Sequence, residues 1–151
     1  MSLRFAYKEF KVNHPIPSLG GRSERPRPVI LVTLVGPSGS RAEEALLDTG
    51  ADDTLFPDAL APLIGVDLAN APTRTGAGFG MQVSTVRYAE VTLRITDGIE
   101  QREWKAWVGF TSAKLRQALL GYAGFLQFFT ATFRGDLQEV ELEFNSTFPG
   151  L

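Results

Sequence analysis

The residues best suited to chemistry lie in LLDTGADDTLFP, residues 46–57, where an aspartate ends an apolar run and is followed at once by Thr49 and Gly50. An ionised carboxylate leaving an apolar strand is costly unless polar partners hold it. Thr49 offers a hydroxyl donor, and Gly50 lets backbone amides come close, so the triplet can build a cradle for one acid. By itself the triplet also describes an ordinary solvated turn after a hairpin. The other chemistries are thinly provided. There are no cysteines, which removes thiolate nucleophiles, thiolate metal sites and disulfides. His14, the single histidine, sits in a proline-rich stretch with no second imidazole beside it and reads as incidental. Asp48, Asp52, Asp53 and Asp58 cluster in sequence, but not at the spacing of a calcium loop, so neither a metal nor a cofactor is expected. A second acidic triplet, Thr96-Asp97-Gly98, has the wrong order and reads as a hairpin turn.

The segments around Asp48 read as strands. Residues 29–35, VILVTLV, form an apolar, β-branched run expected to be buried on both faces. GPSGS turns the chain into RAEEALL, a hairpin that delivers Asp48. Pro57 suits the first turn of a short helix over DALAPLI. Val91, Leu93 and Ile95 alternate with polar residues as in a strand with one dry face, and the opposite parity of Val86 and Tyr88 predicts a bulge near Tyr88. Asp97-Gly98 predicts a two-residue hairpin, with Trp104, Ala106 and Val108 on one side of the return strand and Trp107 on the other. A last hairpin turns at Gly135-Asp136, and Val140, Leu142 and Phe144 alternate with glutamates after it. Leu115, Ala118 and Leu119 behind Ser112 predict a helix. Four prolines within residues 13–28 predict a loop unable to carry helix or ladder, so residues 1–28 read as an N-terminal strand plus a Pro/Gly-rich loop and residues 29–151 as the body of a single domain. Regularly spaced short strands indicate an all-β fold, a barrel or a sandwich.

Composition limits the partners. With 44% hydrophobic residues and a net charge of -2, the chain has enough apolar content for one core and no field that favours nucleic acid or an anionic membrane. No window reaches the length of a membrane span, and the N-terminus lacks the apolar stretch of a signal peptide. The expected location is cytoplasmic.

LLDTGADDT resembles the active-site segment of retropepsin-like aspartic proteases, and two further segments follow in that family's order. TGAGFG, residues 75–80, corresponds to the glycine-rich flap, and Leu119-Leu120-Gly121 to the second signature, which packs against the active-site loop; GFLQFF after it resembles the short helix that follows. The resemblance spans roughly residues 29–144 and implies a closed barrel of the retropepsin type. It makes Asp48 the catalytic residue and Thr49, Gly50 and Ala51 the rest of its loop, with Thr49 bonding across a dimer axis. It places Asp52, Asp53, Ala77, Gly78, Phe79 and Gly80 around a bound extended peptide. Hydrolysis by carboxylates needs one acid and one base. A chain with one such triplet must obtain the second aspartate from another copy, so a homodimer is implied. The chain departs from the family after Gly121, where Tyr122 and Ala123 replace the usual arginine and acidic or amide residue. That arginine ordinarily pairs with the aspartate at the position of Asp52, a role only Arg87 or Arg116 is expected to fill. The competing expectation is a catalytically silent dimerisation or peptide-binding module.

Overall fold

The alternating apolar residues close into a barrel in the computed structural model, which describes residues 2–77 and 83–150. The strands are β1 (Ser2–Ala6), β2 (Lys8–Ile16), β3 (Arg22–Arg27), β4 (Val29–Gly36), β5 (Gly39–Leu47), β6 (Leu55–Pro57), β7 (Thr73–Ala77), β8 (Val83–Thr96), β9 (Gln101–Thr111), β10 (Ala118–Leu120), β11 (Phe129–Arg134) and β12 (Glu139–Phe144). A short helix, α1 (Leu60–Leu63), follows β6. The ring runs β4-β5-β10-β6-β9-β8 and returns to β4 through Thr33↔Arg94, Leu34↔Leu93 and Val35↔Thr92. Closure gives every strand of the ring two paired neighbours along at least part of its length. Within it, β10 runs parallel to β5, and β6 parallel to β9. No helix among the described residues is long and apolar enough to cross a membrane.

Inward residues fill the barrel: Val32, Leu34, Leu93, Val108 and Leu120 are all fully buried. A second sheet, β1-β12-β11, adds Leu3, Val140 and Leu142 to the same core. Trp104 joins the two, edge-on to Phe125, Phe129 and Phe148 at ring separations of 5.4, 5.3 and 5.6 Å. Its indole N–H would be costly to bury unpaired, and it donates to the Gly124 carbonyl at 3.0 Å. Polar links reinforce the second sheet. Glu141 on β12 accepts from the Ser2 hydroxyl at 2.7 Å and from Arg134 at 2.9 Å.

Several expectations from sequence are corrected. Residues 13–28 are not a plain loop: β2 and β3 form a separate two-stranded ribbon from Lys8↔Arg27 to Ile16↔Arg22. Such a ribbon has two free edges, and a proline is tolerated wherever its missing N–H would have pointed outward. Pro15 falls in the irregular stretch between Lys11 and Ile16, and Gly20 and Gly21 turn the chain with φ of 68° and 85°. β4 has one dry face, since Leu31 is 59% exposed. No bulge occurs near Tyr88; β8 keeps one register with β9 from Val86↔Thr111 to Thr96↔Gln101. The change of parity arises because β8 exchanges neighbours, β7 over Val83–Arg87 and β4 over Thr92–Arg94. The hairpin at Asp97 spans residues 97–100, where the Asp97 carboxylate accepts the amides of Ile99 and Glu100. Pro57 ends β6 and does not start α1. The predicted helix over residues 115–119 is absent: the Thr111 hydroxyl accepts the Ala113 amide, and Ala118–Leu120 pairs with β5.

The Ser2 hydroxyl and the Arg134 guanidinium hold the Glu141 carboxyl below its ordinary value of 4.5. A carboxylate shifted down stabilises the fold above its unfolded value, and the effect is lost as pH falls through the folded value. The stability deficit of Glu141→Gln, measured by urea denaturation, will therefore be full above about pH 5 and close as pH drops below 4.5. A deficit independent of pH would contradict this role for Glu141.

Candidate active site

β5 carries Asp48 past the end of the barrel wall, and β10 runs alongside with Leu119↔Leu46 and Leu120↔Leu47 in register. The Asp48 amide donates to the Leu120 carbonyl at 3.1 Å, fixing where the aspartate leaves the sheet. The Gly50 amide donates to Asp48 Oδ1 at 2.9 Å, and the Ala51 amide to the Asp48 carbonyl at 3.2 Å. The amide half of the expected cradle is thus present. Gly50 contributes space and not a left-handed turn: its φ is not positive, and a Cβ there would lie 3.3 Å from Asp48 Oδ1. The Thr49 hydroxyl forms no hydrogen bond among the described residues, and Thr49 and Gly50 are exposed while Asp48 is half-buried. The loop therefore presents its tip outward.

The chain after β10 staples the loop from behind. Tyr122 and Ala123 donate their amides to the carbonyls of Ala51 and Asp52, both at 2.9 Å. The buried Thr54 hydroxyl donates to the Ala123 carbonyl at 2.8 Å. Gly121 makes this approach possible, because a Cβ there would sit 2.3 Å from the Asp53 carbonyl oxygen and 2.6 Å from that of Ala51. The short helix expected after the second signature is one 3₁₀ turn, Leu126–Phe128, tied back by Leu126 N–H to the Gly121 carbonyl.

The two acidic residues that follow the triplet have different surroundings. Asp53 accepts the Tyr88 hydroxyl at 2.7 Å and lies 3.6 Å from the Arg74 guanidinium. Asp52 is exposed and has no side-chain partner among the described residues; neither Arg87 nor Arg116 reaches it. Tyr88 belongs to β8 and Arg74 to β7, so Asp53 anchors the hairpin that rises beside the loop. Burial, followed by the hydrogen bond to Asp53 and its charge, pushes the Tyr88 phenol up to about 12. Sequence reasoning missed Tyr88 and Arg74, although the inward parity of Tyr88 was a visible signal. Ala77 ends β7 opposite Val83; Gly78, Phe79 and Gly80 lie outside the described residues. Tyr122 is 63% exposed immediately after Gly121. The chain matches no protein-family model and no curated protein.

Two substitutions test this geometry. Gly121→Ala forces a methyl into the 2.3 Å gap and will destabilise the chain by about 1–3 kcal/mol in chemical denaturation; an unchanged midpoint would mean the two segments are not in contact. In a spectrophotometric alkaline titration, one phenol will ionise only near about 12, and Tyr88→Phe will remove that step. Because the folded value is raised, any stability linked to Tyr88 is complete below its ordinary value of 10.0 and declines as pH rises towards 12. Loss of a different step in Tyr88→Phe would contradict the Tyr88–Asp53 bond.

Proposed function

We propose that this chain is an aspartic endopeptidase of the retropepsin-like kind, which hydrolyses extended peptides with a water activated between the Asp48 carboxylates of two copies. The observation that carries the reading is the half-buried Asp48, held by the Gly50 amide in a loop backed by Gly121 and open at its tip. Resemblance of the loop, the hairpin and the Leu119-Leu120-Gly121 segment to that family supports it, as does their arrangement about one end of β5. One carboxylate cannot serve as acid and base in the same step. The sequence holds a single Asp-Thr-Gly, so a twofold axis beside the exposed Thr49 supplies the second.

Two such carboxylates about 3 Å apart cannot both ionise, so the pair titrates in two steps and retains one proton between them. The ionised member takes a proton from water as the oxygen attacks the peptide carbonyl, while the protonated member donates to the carbonyl oxygen. Collapse of the tetrahedral species then returns a proton to the leaving amine. A peptide lying as an added strand between the loop and the β7–β8 hairpin would have its backbone satisfied by hydrogen bonds. Asp52, exposed beside Asp48, is the acidic residue available to it. One observation favours a silent peptide-binding module: Asp52 has no ion-pair partner among the described residues, where family members use an arginine to stiffen the dimer.

The readings separate by assay of the purified protein against a peptide library from acidic to neutral pH. Cleavage with a bell-shaped profile, falling about 10²–10⁴-fold in Asp48→Asn, supports the peptidase. Random mixing of equal amounts of wild type and Asp48→Asn will leave about a quarter of the activity if each site draws on two chains, against about half if one chain suffices. No cleavage at concentrations where sedimentation shows a dimer would favour the silent module.

A further inference from the structure

A concavity of about 580 Å³ lies along the irregular stretch of β2, and neither Asp48 nor any other residue of its loop lines it. Its volume falls within the range of small-molecule sites. Phe10, Lys11, His14, Arg25, Arg27 and Arg116 are among its lining residues, and no aspartate or glutamate lines it among those described. The ribbon register explains the clustering. Phe10 and Arg25 are directly opposed across β2 and β3, so they share a face, and Arg27 lies on that face two residues along. Arg116 comes from the irregular segment before β10, which takes this course because the expected helix does not form.

Several basic residues elsewhere meet acids, Lys8 with Glu44, Arg22 with Glu9 and Arg94 with Glu103, while others such as Arg41 and Lys105 form no ion pair among the described residues. None of Arg25, Arg27 and Arg116 forms an ion pair among the described residues. Arg27 is half-buried, and its burial together with the charges of Arg116 and Arg25 holds its guanidinium below the ordinary value. Like charges gathered beside a concave wall repel one another unless an anion enters. Guanidinium forks match the geometry of phosphate oxygens in paired hydrogen bonds.

We propose that this pocket binds a small organic phosphate, with a phosphomonoester dianion held among Arg25, Arg27 and Arg116 and the carbon body against Phe10. The site is separate from Asp48, and its occupancy does not depend on peptidase activity.

Phenyl phosphate is the probe, titrated calorimetrically into the full chain at constant ionic strength, with inorganic phosphate and phthalate as comparisons. The expected result is saturable one-to-one binding, weakened about tenfold or more by Arg116→Gln and by Arg27→Gln. Phe10→Ala should bring phenyl phosphate down to the level of inorganic phosphate. Arg116 is exposed in an irregular segment, so its variant keeps the test valid if the others fold poorly. The proposal is overturned by no saturation up to about 10 mM probe, by unchanged binding in a folded Arg116→Gln variant, or by phthalate binding as tightly as phenyl phosphate.

Discussion

The absence of a side chain at position 121 is the constraint on which the rest of the site depends. Backbone carbonyls of Ala51 and Asp53 occupy the space a Cβ would need. This close approach lets the amides of Tyr122 and Ala123 reach the loop, and it follows directly from the parallel pairing of β10 with β5. Buried backbone groups must find partners, and here each segment satisfies the other. The carboxylate of Asp48 is therefore positioned by main-chain geometry from two distant parts of the sequence, with no long side chain whose rotamers would have to be fixed.

The sequence revealed what local chemistry determines. The turn at Gly36–Gly39, the dry face of Val91, Leu93 and Ile95, and the last hairpin rest on residue type and alternation and appear where they were expected, although Phe144 at the end of that hairpin is exposed and Glu141 is buried. The errors arose where tertiary neighbours decide. Ala118–Leu120 is too short for periodicity to distinguish strand from helix, and its pairing with β5 settled the matter. The parity of Val86 and Tyr88 suggested a bulge because sequence cannot show a strand changing neighbours at constant register. Proline content hid the β2–β3 ribbon, since the rule against proline in ladders applies to central strands and this ribbon has only edges.

The two aspartates after the triplet illustrate how one motif can divide its work. Asp53 points its charge at Tyr88 and Arg74, joining the hairpin to the loop. The hydroxyl bond is the closer of these contacts, and the Arg74 side of the ion pair is mostly exposed, which weakens it. Asp52 keeps its carboxylate in solvent. Loop and hairpin are thus connected at one acidic residue while the adjacent one stays available. The motif specifies two acids, but only their neighbours assign them separate tasks.

The sheet β1-β12-β11 is completed within a single chain: Leu3 is buried by its own β12 and Glu141 is satisfied by its own Ser2. All three strands of this sheet thus come from one chain. A site assembled from two protomers, as proposed here, fills according to the square of protomer concentration when dimers are scarce. Under the proposed mechanism, synthesis rate and local crowding would set proteolytic output, and dilution alone would lower it steeply.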